Sequence, residues 1–233
     1  GTLALPRGAT LMELDLFRLR ERLLASGQVR TAVLMRNFPA TLVATLSERV
    51  PVARVNAQAP GESEPRPLLV ARDGVVFAGA GFDAAMLNTL PWLDGVRLVR
   101  QGEGFAPIDG MAAVADLIGK AKYEAEHLYR TWRVISLARY AFDGELIVRD
   151  ADGLRIRFNV NDDFFRQLAR LDLVLDYTRG ADRAQTEINL ALGQQVPVAL
   201  APDAAATKTG LKARGSKVST RPSLIQRKSQ REV

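Results

Sequence analysis

Turn chemistry limits what this chain can fold into more tightly than any other feature of its sequence. Asn37-Phe38-Pro39-Ala40, Arg72-Asp73-Gly74, Asp150-Ala151-Asp152-Gly153 and Gly193-Gln194-Gln195 each separate two short apolar runs. Such connections mark β-hairpins, because glycine supplies the positive φ and proline the fixed φ that tight turns need. The expected strands are Val29 to Arg36 with Leu42 to Glu48, Leu68 to Ala71 with Val75 to Phe77, Val134 to Tyr140, Glu145 to Arg149 with Leu154 to Asn159, and Glu187 to Leu192 with Val196 to Leu200. Within the second of these, Leu42, Ala44 and Leu46 alternate onto one face.

Helical spacing breaks the run of strands three times. Leu16, Leu19 and Leu23 predict a helix from Leu14 to about Ser26, with Asp15 in its first turn and Gly27 ending it. Phe17 and Leu24 lie well round that helix from its main stripe, which is more apolar surface than one sheet contact requires. Val114, Leu117, Ile118, Ala121, Ala125, Leu128 and Trp132 predict one long helix over Met111 to Trp132, capped by Asp109. Phe164, Leu168, Leu171 and Leu175 predict a shorter one capped by Asn161.

Strands interrupted by helices indicate an α+β chain. The expected organisation is a small helix-plus-hairpin domain over 1–55 and a linker over 56–67, where Ala59, Pro60, Gly61, Glu62 and Ser63 show no hydrophobic period. A larger domain over 68–202 follows, an antiparallel sheet with helices on one face, and then a tail over 203–233. Eight basic and two acidic residues after Leu200 account for the whole formal charge of +6, and the 24 basic and 24 acidic residues before them cancel. That Ser/Thr-rich, aromatic-free tail cannot bury enough apolar area to offset its ordering entropy, so disorder is expected there. Without aromatic residues to stack on bases, nucleic-acid binding by it is not expected.

Cysteine is absent, which excludes disulfides and thiolate metal sites. The single histidine, His127, falls on the polar side of its expected helix among Lys120, Glu124 and Glu126. Asp162 with Asp163 sits at a helix start and Asp150 with Asp152 in a turn, positions where acids serve structure. No Walker-type glycine loop occurs. No cofactor, metal, small-molecule substrate or catalytic residue is expected, and no run of about 18 apolar residues offers a membrane span.

Val29, Ala32, Val33, Arg36, Pro39, Thr41, Leu42, Leu46, Glu48, Arg49, Pro51, Val52 and Ala53 form a spaced run after the first helix. In spacing and residue type this run resembles the POTRA domain of the FtsQ/DivIB family of bacterial cell-division proteins. Asp73-Gly74-Val75-Val76-Phe77, Leu90-Pro91, the turn at Gly153 and Glu187-Ile188-Asn189-Leu190 resemble the family's β domain more weakly. Gly27 stands where the family usually has proline. The resemblance implies a non-enzymatic scaffold of the divisome, anchored in the inner membrane by a single helix outside this chain, with this part periplasmic at the septum. It also implies FtsB-type and FtsL-type division proteins as partners, and a POTRA domain lacking its first strand and most of its first helix, of which only Leu3 to Thr10 would remain.

Binding in such a protein is expected by strand addition to an open sheet edge. The candidate edge is Val196, Pro197, Val198, Ala199 and Leu200, because proline is tolerated only where a strand lacks a neighbour. The missing N–H of Pro197 is expected to face the open side. The alternative function is a POTRA-type chaperone or binding module of an outer-membrane assembly or secretion system.

Overall fold

The structure, a computed structural model, describes residues 10–58, 62–102, 104–179, 184–193 and 195–201. Residues 3–9 and the tail over 203–233 lie outside them. Helix α1 (Leu16–Ala25) starts at Asp15, which is the N-cap and not a first-turn residue: its carboxylate accepts the Arg18 backbone N–H at 3.0 Å. Gly27, at φ +69°, ends it, and a Cβ there would stand 2.9 Å from the Cβ of Phe77. Both the backbone conformation and the close approach require glycine.

Strands β1 (Val29–Asn37) and β2 (Thr41–Glu48) form a two-stranded antiparallel sheet of their own. Ala32, Leu34 and Arg36 stand opposite Leu46, Ala44 and Leu42, so the alternation expected for β2 holds. Leu19 of α1 is buried with Leu14, Val29 and Ala32. The other face of the hairpin carries Val33, Met35 and Val43, all exposed. The surplus apolar surface expected on α1 is present at Phe17, which is 71% exposed, while Leu24 is half-buried.

Of the linker expected over 56–67, Ala59, Pro60 and Gly61 lie outside the described residues, and both its ends are strand instead. Strands β3 (Pro51–Ala57) and β4 (Arg66–Ala71) pair antiparallel through Asn56 with Pro67 and Ala57 with Arg66. Pro51, Ala53, Val55 and Ala57 are buried at every second position, the period of a strand with one face on a core. The boundary expected at residue 55 therefore moves forward: β3 already belongs to the large sheet, and the helix-plus-hairpin body ends at Glu48. Strand β5 (Val76–Phe77) follows across the Asp73-Gly74 turn. Helix α2 (Ala84–Asn88) and strand β6 (Trp92–Asp94) come next, then the short pair β7 (Arg100–Gln101) and β8 (Gly104–Phe105).

The single helix expected to Trp132 is two. Helix α3 (Met111–Glu124) follows Gly110, while Asp109 only accepts the N–H of Gly110. Ala125, at φ −142°, breaks the helix, and α4 (Glu126–Tyr129) restarts with Leu128 and Tyr129 N–H groups donating to its carbonyl. The break lets adjacent Leu128 and Tyr129 both be buried, and Trp132 belongs to strand β9 (Trp132–Ser136). Helix α5 (Tyr140–Asp143), strands β10 (Glu145–Asp150) and β11 (Arg155–Asn159), helix α6 (Phe164–Thr178) and strands β12 (Gln185–Asn189) and β13 (Val198–Leu200) complete the body. Asp163, not Asn161, caps α6 by accepting the Phe165 N–H at 3.0 Å.

The fold is α+β, and its sheet is mixed where an antiparallel one was expected. The nine strands run in the order β13-β12-β11-β10-β9-β6-β3-β4-β5, with β11 parallel to β12, β6 to β9 and β3 to β6. Helices join two of these parallel pairs, α6 between β11 and β12 and α3 with α4 between β6 and β9, because parallel neighbours need a long crossover. One face of the sheet buries Val55, Leu93, Ile135, Val148, Ile156 and Ile188 in one core with Leu117 of α3 and Leu168 and Leu171 of α6. Across the other face a single row in register runs Ala199, Glu187, Arg155, Arg149, Val134, Trp92, Arg54 and Leu69. Arg149 and Arg155 stand directly opposite, an unfavourable pairing. Asp94 at 2.7 Å and Glu187 at 3.2 Å offset it.

Candidate interaction edge

Among the described residues strand β13 ends the sheet on one side, the place expected for Val196 to Leu200, although only Val198, Ala199 and Leu200 lie within the strand. Val196 and Pro197 lead into it. The carbonyl of Pro197 accepts the Asn189 N–H at 3.0 Å, and the carbonyl of Ala199 accepts the Thr186 hydroxyl at 3.2 Å. In an extended chain the N–H and C=O of one residue point to the same side and neighbouring residues point oppositely. Pro197 and Ala199 thus face β12, and Val198 and Leu200 face outward. This corrects the expectation for Pro197: its missing N–H lies on the inner side, and the open edge presents complete donor and acceptor pairs at Val198 and Leu200.

The opposite edge, β5, is shielded by the chain leaving α1. Gly27 lies against Phe77, and the Gln28 amide both donates to and accepts from the backbone of Ala80, each at 3.0 Å. Those two bonds imitate one rung of a strand pair.

The POTRA-like residues fall into two groups at the two ends of the hairpin. At its tip end, Arg36 donates from Nε to the Leu11 carbonyl at 3.0 Å and from Nη2 to the Leu14 carbonyl at 2.6 Å, which holds the chain entering α1. Leu42 is half-buried opposite Arg36, and Pro39 sits exposed in the turn. At its base, Val29 is buried opposite Glu48, whose carboxylate accepts from the Gln28 amide at 3.4 Å. Arg49 donates from Nη1 to the carbonyls of Gly27 and Val29, each at 2.9 Å, and from Nε to Asp73 at 2.8 Å. Pro51 is buried and begins β3. The base group lies by the β5 end of the sheet, eight strand spacings or about 38 Å from β13.

His127 is exposed and shares a hydrogen bond of 2.9 Å with Asp172 of α6. Asp150 accepts the N–H groups of Asp152 and Leu154, both at 2.9 Å, and Asp162 accepts that of Asp163 at 2.8 Å, so these acids organise a turn and a helix start. Among the described residues no three His, Cys, Asp or Glu side chains are grouped to hold a metal ion, and no helix is long and apolar enough to cross a membrane. Two structural roles escaped the sequence reading: that of Asp73, known there only as a turn residue, as the far partner of Arg49, and that of Gln167, a fully buried residue of α6. No family model matches the chain, and no curated protein aligns with it significantly.

Proposed function

We propose that this chain is the periplasmic part of a non-enzymatic division scaffold of the FtsQ/DivIB kind, which captures FtsB-type and FtsL-type partners by strand addition to β13. In this reading a membrane helix outside the chain tethers it to the inner membrane at the septum, and capture links its partners to septal peptidoglycan synthesis. The edge of β13, which has no outer strand partner among the described residues, is the observation that carries the reading, together with the spaced run from Val29 to Ala53. Two outward residues offer four hydrogen-bonding groups. At about 0.5–1.5 kcal/mol net for each bond, the ladder gives roughly 2–6 kcal/mol. Association costs about 4–15 kcal/mol, so side chains flanking the edge must contribute as well. Leu200, 44% exposed, is the nearest of these.

The test is capture of FtsB-type and FtsL-type periplasmic segments by the full chain and by two variants. Leu200→Pro removes one outward N–H without touching the bonds to β12, and Leu200→Thr changes the side chain but keeps the donor. Capture by the parent and the Thr variant, with loss in the Pro variant, is expected. A folded Pro variant that captures as well as the parent, or a parent that captures neither segment, ends the proposal. A second reading, the POTRA-type chaperone module, is favoured by the outer edges of the β1–β2 sheet, which have no strand partner among the described residues. It predicts client binding that is indifferent to Leu200→Pro.

A further inference from the structure

The geometry points to a binding site for a phosphoryl dianion in the cavity where α4 meets the end of α2, remote from the partner edge and independent of it. The cavity measures about 450 Å³ and is lined by Asn88, Thr89, Lys122, Glu126, Tyr129, Arg130 and Arg133. Its one carboxylate is already engaged, because Arg130 donates to Glu126 through Nε at 3.2 Å and Nη2 at 2.7 Å. Lys122 and Arg133 have no carboxylate partner among the described residues.

Both remaining cations are held in place. Arg133 is anchored by Nη1 to the carbonyls of Arg130 and Trp132, at 3.0 and 3.3 Å, which leaves Nε and Nη2 for a ligand. A guanidinium edge presented in this way matches two oxygens of a tetrahedral anion. The ammonium of Lys122 stands 4.8 Å over the ring of Tyr129, a contact that satisfies none of its three donors. Tyr129 donates its own proton to the Thr89 carbonyl at 3.1 Å. Burial pushes its hydroxyl up, so it adds no negative charge at neutral pH.

Two uncompensated positive charges beside one cavity match two negative charges on one group. A carboxylate offers one. A phosphate monoester, whose second proton leaves near pH 6, offers close to two. The volume exceeds what a bare ion fills and lies within the range of small-molecule sites, about 300–1,000 Å³, so the phosphoryl group arrives on an organic body. The ligand is therefore a soluble phosphate monoester or a lipid whose headgroup is a phosphate monoester, such as phosphatidic acid.

The experiment follows backbone and arginine side-chain NMR shifts of the full chain. It is titrated with inorganic phosphate, with glycerol 3-phosphate, and with phosphatidic acid vesicles against phosphatidylcholine vesicles. Saturable shifts at Tyr129 and Arg133 are expected, with affinity lowered by about tenfold or more in Lys122→Gln and in Arg133→Gln. Arg72→Gln, outside the cavity, should leave the affinity unchanged. Response to glycerol 3-phosphate alone identifies a soluble ligand, response to the anionic vesicles alone a headgroup, and either sustains the site. Absence of saturation with every phosphate probe overturns it. So does equal weakening by Arg72→Gln, which would mark diffuse charge attraction.

Discussion

Gln167 shows how one polar side chain can hold a junction that apolar packing cannot. It is wholly buried, donates to the carbonyls of Asn159 and Asp162 at 2.8 and 3.3 Å, and accepts the Asn159 N–H at 2.8 Å. It therefore closes the end of β11 onto the first turn of α6. Gln167→Leu preserves most of the volume but leaves at least two backbone groups unpaired in the core. A loss of roughly 2–6 kcal/mol is expected, at about 1–3 kcal/mol for each of two buried unsatisfied groups. Urea unfolding should show a lowered midpoint with an unchanged slope. A midpoint within error of the parent would mean that water replaces the amide. In the sequence Gln167 looked like any polar residue on a helix, because its partners come from a strand end that helical periodicity does not describe.

Among the elements, those with strong local signals were legible. Both strands of the first hairpin, the Asp73-Gly74 and Asp150 to Gly153 turns, and the helices α1 and α6 all lie close to where alternation, spacing and turn residues put them. What could not be seen were the consequences of packing. The break at Ala125 involves no proline or glycine, and it exists because Leu128 and Tyr129 both reach the core. Strand β3 was hidden by alanines at buried positions, and the parallel pairs by the fact that strand order leaves no mark on one strand. Arg49 belongs to this scale too, since its three bonds tie the end of α1, the start of β1 and the β4–β5 turn together. Arg49→Lys keeps the charge but not the fork that serves three acceptors. Amide exchange should quicken by about tenfold or more in β1 and β2, while α3 and α6 keep their protection. Equal acceleration across the molecule, or none, would show that Arg49 is not what holds the hairpin to the sheet.

At the scale of the whole molecule, described residues up to Leu200 form one compact unit in which packing is uneven. The α3–α6–sheet core is one continuous buried cluster, whereas the β1–β2 hairpin exposes Val33, Met35 and Val43 on one face and leaves Leu46 exposed even on the face that buries Ala32. Strand β13 closes this unit, and it forms a hairpin with β12 whose open end holds Leu200 opposite Gln185. A pull on the chain beyond Leu200 therefore loads that open end first. The strand would peel from β12 one bond at a time, releasing residues 191 to 200, roughly 33–36 Å of chain, before the buried Leu190 is strained. In an optical trap this should appear as a small extension at low force ahead of the main unfolding event. A strand paired on the outer side of β13 would have to be torn away in the same motion, so partner binding should raise that first force. The edge that receives a partner would then also act as a mechanical fuse that the partner strengthens.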